Sequence, residues 1–186
     1  MSNAVTALNG AKATGYITVT EAPLTGMITV RGDFNDVAFV NAIKTVCGAA
    51  IPAQRRLEAG TGCHVLWMSP DELLVVCAYD AASALVAALV QEMGSIHALV
   101  VNVSDARAVF DLQGDDVREV VAKLAPVDMK AMQIGELRRT RFSQVAAAFW
   151  MSSDTEVRVV CFRSVAEYVF NLLKQSSKPG FNVGSW

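Results

Sequence analysis

The sequence predicts an α+β protein assembled from two similar β-α-β-β-α units. One segment occurs twice: residues 67–77 and residues 150–161 share Trp-Met-Ser, an acidic turn and an apolar run that ends in cysteine. One inserted residue in the second turn would bring the two cysteines into step. Gly-Asp pairs at 32–33 and 114–115 each separate a short strand from a helix. Two half-chains with the same pattern predict a pseudo-twofold fold, and a chance similarity of short segments is the alternative. Hairpins mixed with single crossover helices indicate antiparallel or mixed sheets covered by helices on one side.

The first unit is predicted to follow a flexible N-terminal segment. Residues 1–25 carry Ser, Asn, Thr, Gly and Ala without a sustained period, which predicts a flexible N-terminal arm. Residues 27–31 alternate between apolar and polar side chains, as a strand does. Asp33 or Asn35 is expected to cap the helix that follows. The apolar positions of that helix share one face: Phe39, Ile43 and Val46.

A hairpin, a helix and a strand complete the first unit. Residues 63–68 and 73–77 are apolar runs on either side of a turn in which Pro70 presets the backbone angle. Asp80 is expected to cap the next helix, which Gly94 ends, and residues 96–103 form a strand. The apolar face of this helix repeats every three to four residues: Val86, Leu89, Val90 and Met93.

The second unit repeats this order. Residues 107–113 alternate cleanly and predict a strand, and the helix that follows them ends before Pro126. Residues 142–151 and 156–162 are predicted to form the second hairpin. Ser164 and Glu167 have the spacing of a capping box at the start of the last helix.

These elements predict one domain over residues 26–177, made of two repeats at 26–103 and 104–177. Residues 178–186 are predicted to be a C-terminal tail after the last helix, because a Lys-Pro-Gly sequence at 178–180 ends it.

The composition narrows the class of protein. Hydrophobic residues make up 53% of the 186 residues and charged residues 18%, with a net charge of −2. No run reaches the roughly 18 apolar residues that a membrane span needs, and the charge gives no reason to expect nucleic acid. Either much of the surface is covered by partner subunits, or the chain is an unusually apolar monomer. Four cysteines without metal-ligand spacing and the lack of a signal peptide pattern predict a cytoplasmic protein.

The sequence carries no recognisable catalytic, cofactor or metal site. His64 and His97 each begin a strand without a neighbouring ligand, so ordinary strand-end histidines are the simpler interpretation. Gly60-Thr61-Gly62 lacks the further glycine of a dinucleotide fingerprint, and there is no phosphate-binding loop. We therefore predict no catalytic residue, no cofactor-binding residue and no metal ligand in this chain.

The basic cluster at residues 138–141 is the most distinctive polar feature. Arg139 and Arg141 are two residues apart, so on a strand they project from the same face. They are our candidate partner-binding residues, since arginines make forked contacts with carboxylates. A solvated strand face is the alternative interpretation.

Several segments resemble the gamma subunit family of heterotetrameric sarcosine oxidases. They lie at residues 103–107, 110–120, 123–128, 139–145 and 162–168, and the turn at 68–74 is similar to a Gly-Pro-Asp-Glu-Trp turn of that family. Residues 103–124 are also similar to the opening of folate-binding aminomethyltransferases. That similarity implies an aminomethyltransferase-like fold of paired α+β units.

The resemblance implies a non-catalytic subunit of a bacterial, cytoplasmic complex with alpha, beta and delta subunits as partners. The complex would oxidatively demethylate sarcosine to glycine, form hydrogen peroxide and pass the one-carbon unit to tetrahydrofolate. FAD, FMN, NAD and zinc would be held by the other subunits, and this chain alone would be no enzyme. A folate-handling aminomethyltransferase-like module is the alternative function, and it rests on similarity of fold.

Overall fold

The computed structural model describes residues 4–184, which divide into two compact units. One unit comprises Leu24–Asp105. The other combines the N-terminal segment up to Pro23 with the chain from Ala106 onward. The repeats predicted at 26–103 and 104–177 therefore lie close to the observed division, except that the N-terminal segment belongs to the second unit.

Both units are antiparallel sheets with helices. The strands, in chain order, are β1 (Lys12–Thr14), β2 (Thr18–Glu21), β3 (Thr25–Arg31), β4 (Leu57–Ala59), β5 (Cys63–Ser69), β6 (Glu72–Ala78), β7 (Leu99–Asn102), β8 (Arg107–Gln113), β9 (Leu137–Phe142), β10 (Val145–Ser153) and β11 (Glu156–Phe162). The helices are α1 (Val37–Cys47), α2 (Ala82–Met93), α3 (Val117–Ala122) and α4 (Ala166–Ser176). Single 3-10 turns precede α2, β8 and α4. No helix within residues 4–184 is long and apolar enough to cross a membrane.

Four strands of each sheet have the same order and connectivity, and the mixture of helices and antiparallel sheets confirms the predicted α+β class. The five-stranded sheet has the order β4-β5-β6-β3-β7, and the six-stranded sheet has the order β1-β2-β8-β11-β10-β9. The strands β3, β4, β5 and β6 thus correspond to β8, β9, β10 and β11. Each unit contains an edge strand, β4 or β9, beyond the predicted β-α-β-β-α pattern, and the six-stranded unit also contains β1 and β2.

Both predicted hairpins are present, but the predicted alignment between them is shifted by one residue. Both hairpins contain a bulge followed by a two-residue turn, between Trp67 and Ser69 in one unit and between Met151 and Ser153 in the other. Trp67 therefore corresponds to Met151 rather than to Trp150, and no inserted residue is needed. Since a one-residue shift moves a strand side chain to the opposite face, Trp67 and Trp150 project from opposite faces of their sheets.

Residues 12–14 and 18–21 of the predicted flexible arm form strands, and its first three residues lie outside the described residues. Thr18–Glu21 pair with residues 110–113 of β8, and β1 pairs with β2. The Glu21 carboxylate is buried and accepts hydrogen bonds from Thr6 Oγ1 and from the N–H groups of Leu8 and Gly10, at 2.8–2.9 Å. The prediction failed because the order of these residues comes from pairing with a strand about ninety residues away, which no local periodicity reveals.

Helix starts also differ from the predictions. Asp36, not Asp33 or Asn35, caps α1 by accepting a hydrogen bond from the Ala38 N–H at 2.9 Å. The α2 and α4 helices begin without a side-chain cap, because the 3-10 turns at Tyr79–Ala81 and Arg163–Val165 take up the positions of the predicted caps. Gly94 ends α2 with a positive φ of 54°, as predicted.

Each unit has its own hydrophobic core between its sheet and its helices. In the five-stranded unit, Phe39 and Leu89 of the helices pack with Ile28 and Val75 of the sheet. In the six-stranded unit, α3 and α4 cover the face that carries Phe110, Phe149 and Val159. We call the opposite side of each sheet its helix-free face. It also carries fully or nearly buried apolar side chains: Leu66, Leu74 and Val76 in one sheet, and Val109, Ala148, Trp150 and Val160 in the other.

Candidate partner interface

The candidate residues Arg139 and Arg141 lie on β9, an edge strand of the six-stranded sheet. Both are exposed, and the intervening Thr140 is half-buried on the opposite face. Arg139 is opposite Ala148 and Arg141 is opposite Ala146 on β10. The two arginines therefore project from the helix-free face, as the spacing of two residues predicted.

Two residues that the sequence analysis did not select lie at the same end of this face. Phe162, at the end of β11, is 46% exposed, and the Arg107 guanidinium lies over its ring at 4.2 Å from the centroid. Arg107 is opposite Phe162 in the β8–β11 pairing. We call Arg107, Phe162, Arg139 and Arg141 the arginine–aromatic patch. Arginine and aromatic residues are the types enriched at the energetic centres of protein interfaces, so the patch has the composition of a binding surface.

The third arginine of the cluster has a different role. Arg138 forms an ion pair with Glu136 and donates a hydrogen bond to its neighbour's carbonyl, Leu137 O, at 3.1 Å. It is half-buried and projects from the same side as Thr140, toward the helix-covered face. Arg138 is therefore part of the fold, and only Arg139 and Arg141 of the cluster are presented outward.

A charge-neutral pair lies next to the patch on the same face. Arg158 on β11 donates two hydrogen bonds to the Asp111 carboxylate on β8, at 2.6 and 3.0 Å, in a forked geometry. Because this arginine already has its carboxylate, it adds no net charge to the surface. The Arg158–Asp111 pair is therefore separate from the arginine–aromatic patch on this face.

A buried carboxylate, missed by the sequence analysis, holds the C-terminal segment. Glu119 on α3 is 3% exposed and accepts hydrogen bonds from the N–H groups of Val183 and Gly184, at 2.8 and 3.0 Å. Lys123, one turn further on, forms an ion pair with Glu119 at 2.8 Å and donates to Phe181 O at 2.6 Å. We call Glu119, Lys123 and the bound segment 181–184 the C-terminal clasp.

Contacts within the C-terminal clasp shift the pKa values of Glu119 and Lys123. Burial by itself would raise the pKa of Glu119, but hydrogen bonds from Lys123, Val183 and Gly184 lower that pKa to about 2. The pKa of Lys123 is raised by the hydrogen bonds to Glu119 and Tyr16, although burial opposes this. Both oxygens of the buried Glu119 carboxylate accept hydrogen bonds from groups of the same chain, so we interpret the clasp as structural. In the sequence, the only indication of the clasp is that Glu119 and Lys123 are four residues apart, next to the apolar face of α3.

The histidines and the cysteines are the other groups of the chain that could carry chemistry. His64 and His97 are both exposed on the five-stranded unit. Burial raises the pKa of the Cys161 thiol to about 12, which keeps it protonated near neutrality although Arg107 favours its ionised form. Within the described part of the chain, no three His, Cys, Asp or Glu side chains are grouped so that they could hold a metal ion.

Comparison with known proteins identifies the family. The model of the sarcosine oxidase, gamma subunit family matches residues 31–179. The chain belongs to this family. It is 28% identical over 154 residues to the sarcosine oxidase subunit gamma of Corynebacterium sp. (strain P-1), which covers 80% of this chain and 72% of that relative. It is also 28% identical over 138 residues to the protein of the same name from Corynebacterium sp. (strain U-96), covering 71% of this chain and 65% of that relative.

Solved structures agree on the fold of this family member. A chain of the heterotetrameric sarcosine oxidase from Corynebacterium sp. U-96 superposes with a TM-score of 0.80 at 22% identity, over 89% of this chain and 87% of that chain. The glycine cleavage system aminomethyltransferase T from Bartonella henselae superposes with a TM-score of 0.64 at 13% identity, over 86% of this chain and 45% of that chain. The expected aminomethyltransferase-like fold is thereby confirmed.

Proposed function

We propose that this protein is the non-catalytic gamma subunit of a heterotetrameric sarcosine oxidase. The match of the family model over residues 31–179 carries the proposal. The proposed partners are the alpha, beta and delta subunits. In this proposal the assembled enzyme oxidises sarcosine to glycine, forms hydrogen peroxide and passes the one-carbon unit to tetrahydrofolate, and FAD, FMN, NAD and zinc are held by the other subunits.

The polar chemistry of the chain supports a structural role. Two of its buried carboxylates are used in internal contacts: Glu119 holds the C-terminal segment, and Glu21 holds residues 6–10. A catalytic carboxylate needs an acceptor or proton position that can face a substrate, whereas both of these carboxylates are buried and bonded within the chain. The folate-handling alternative is supported by similarity of fold, which does not specify a function.

The arginine–aromatic patch is the surface through which we propose that the subunit meets its larger partners. A carboxylate-bearing surface would complement Arg139 and Arg141, and the exposed ring of Phe162 would provide an apolar anchor beside them. Removing one member of a desolvated arginine–carboxylate pair at an interface costs about 2–5 kcal/mol, whereas pairs at the solvated rim contribute far less.

Co-expression with the other three subunits tests this function. The wild-type chain should co-purify with them, and Arg139→Ala combined with Arg141→Ala should weaken assembly at least about thirtyfold, because about 2 kcal/mol corresponds to that factor. Lys44→Ala combined with Lys174→Ala removes the same charge from exposed helix positions and should leave assembly unchanged.

The outcomes separate the two parts of the proposal. A wild-type chain that does not co-purify with the three subunits contradicts the assigned function. A folded double-arginine variant that assembles like the lysine control shows instead that the patch is a solvated strand face.

A further inference from the structure

Three of the four cysteines meet on the helix-covered side of the five-stranded unit. Cys47 ends α1, Cys63 begins β5, and Cys77 lies near the end of β6. Cys47 and Cys63 are buried in the core of the unit, and the half-buried Cys77 packs against the same core. All three are free thiols, and the Cys63 thiol donates a hydrogen bond to the Cys47 carbonyl oxygen at 3.6 Å. This core therefore contains a cluster of thiols rather than a lone cysteine.

Cys63 and Cys77 are directly opposite each other in the β5–β6 pairing. The main-chain carbonyl of Cys63 accepts a hydrogen bond from the Gly60 N–H at 2.8 Å, on the β4 side of β5. Cys63 and Cys77 are therefore a non-hydrogen-bonded pair, in which the Cα atoms are about 4.5 Å apart and the side chains are closest. Disulfides join residues whose Cα atoms are about 4.4–6.8 Å apart. A disulfide can thus join this pair without separating the strands.

Glycines lie on either side of the pair across the sheet. Gly60 is next to Cys63, and Gly26 of β3 is opposite Cys77. A Cβ atom at Gly60 would lie 3.1 Å from the Cys63 sulfur, and a Cβ atom at Gly26 would lie 2.7 Å from the Cys77 sulfur. Each sulfur of the reduced pair therefore lies over a glycine. Rotation of the two side chains between staggered rotamers turns the sulfurs toward each other and needs no change of the backbone.

The second unit contains only one cysteine of the corresponding pair. When the two hairpins are aligned by their registers, Cys77 corresponds to Cys161 and Cys63 corresponds to Ala147. Ala147 and Cys161 are opposite each other in the β10–β11 pairing, and both are buried. An alanine therefore fills the position of Cys63 in the second core, so packing in this type of unit does not by itself require a cysteine there.

We propose that Cys63 and Cys77 are a site of oxidation by hydrogen peroxide, which joins them in a reversible disulfide between β5 and β6. The Cys63 thiolate attacks one oxygen of the peroxide, so that an S–O bond forms, the O–O bond breaks, and the departing hydroxide takes up the thiol proton as water. The Cys77 sulfur then attacks the sulfur of this sulfenic acid. The S–S bond forms, the S–O bond breaks, and the hydroxyl group leaves as water with the Cys77 proton. The two thiols lose two electrons, which the peroxide gains.

The surroundings of the two cysteines assign their roles. The hydrogen bond with the Cys47 side chain lowers the pKa of Cys63, although burial opposes this, whereas burial raises the pKa of Cys77. Because the thiolate is the nucleophile, Cys63 reacts with the peroxide and Cys77 forms the disulfide. In the proposed function the assembled enzyme itself forms hydrogen peroxide. Only this source of the oxidant rests on the proposed function, since the pair needs nothing but a peroxide.

Treatment of the purified, reduced chain with hydrogen peroxide tests the inference. After alkylation of the remaining thiols, mass spectrometry of peptides should show a Cys63–Cys77 disulfide that dithiothreitol reverses. The disulfide should form at least about tenfold faster than Cys161 is oxidised. Cys161 is the internal control, because it is a buried thiol with alanines opposite it on both neighbouring strands.

Two variants separate the roles of the pair. Cys77→Ala should leave a sulfenic acid on Cys63 that dimedone traps, because the second thiol is missing. Cys63→Ala copies the arrangement of Ala147 and Cys161 in the second unit. It should form no disulfide, and dimedone labelling of Cys77 should fall at least about tenfold below the labelling of Cys63 in Cys77→Ala.

Three results would overturn the inference. They are a wild-type chain that forms no disulfide, a disulfide from Cys63 to Cys47 in place of Cys77, and oxidation of Cys63 to a sulfinic acid without a cross-link. Because this experiment uses the chain alone, each of these results leaves the proposed function standing. Conversely, a chain that forms the disulfide but does not assemble with the other subunits contradicts the proposed function and supports the oxidation site.

Discussion

Replacing Glu119 by glutamine removes the charge of the C-terminal clasp while keeping the shape of the side chain. In the wild-type protein the carboxylate binds Lys123 and the N–H groups of Val183 and Gly184. The neutral amide keeps one acceptor oxygen and places an NH₂ group where the second acceptor stood. We expect the variant to fold and to be less stable.

The magnitude follows from the ionisation of the carboxylate. The pKa of Glu119 falls from an ordinary 4.5 to about 2 in the folded chain, and one pKa unit corresponds to about 1.4 kcal/mol. The ionised form therefore contributes up to about 3 kcal/mol to the free energy of unfolding at pH 7. Because the side chain of Lys123 keeps 20% exposure, we expect a measured loss of about 2 kcal/mol for Glu119→Gln.

The sign of the pH dependence makes this prediction specific. A carboxyl group whose pKa is lower in the folded chain binds fewer protons there than in the unfolded chain, so its stabilisation is complete above about pH 5. That stabilisation is lost as the pH falls from about 4.5 toward 2. The difference in the free energy of unfolding between wild type and Glu119→Gln should therefore fall to about half of its value at pH 7 near pH 3.

Urea unfolding at pH 7, 5 and 3 measures these differences. Glu58→Gln is the control, since Glu58 is an exposed carboxylate on β4, and it should change stability by less than about 0.5 kcal/mol at each pH. If the difference in the free energy of unfolding between wild type and Glu119→Gln stays constant from pH 7 to pH 3, the loss of stability comes from packing and not from charge. Equal stability at pH 7 would refute the clasp altogether.

Two further predictions concern a helix cap and the isolated subunit. Asp36→Ala should destabilise the chain by about 1 kcal/mol in urea unfolding, because it removes the N-cap of α1. Asp80→Ala, at a position that does not cap α2, should change stability by less than about half as much, and equal losses would contradict the assigned caps. The purified chain alone should be colourless and should not turn over sarcosine, and visible flavin absorbance or sarcosine-dependent peroxide formation would refute the non-catalytic role.

Local patterns in the sequence were sufficient for most helices and for the two hairpins. Alternation of apolar and polar residues over 27–31 and 107–113 predicted β3 and β8, although residues 26–30 of β3 are buried on both faces of the sheet. Gly94 ended α2 as expected, since its positive φ is easily adopted only by glycine. The spacing of Arg139 and Arg141 was enough to place both on one face of a strand.

Predictions from local patterns were wrong where a segment is ordered by residues distant in the sequence. Residues 12–14 and 18–21 form strands because β8 supplies the pairing groups for β2, and nothing within the segment itself indicates this. The alignment of the two tryptophans matched identities, whereas the registers of the two hairpins align Trp67 with Met151. Three identical residues are weaker evidence for an alignment of the two hairpins than the requirement that each side chain face the correct side of its sheet.

Periodicity and local motifs, which depend on neighbouring residues, were enough to predict the α+β class, the repeated unit and the family. Only the tertiary structure brought Arg107 and Phe162 to the same face as Arg139 and Arg141. It alone joined Glu119 to residues more than sixty positions away and left the edge of β7 without a neighbouring strand among residues 4–184. These features depend on which strands become neighbours and on which segments return to a helix, and such long-range contacts are decided by the packing of the whole unit.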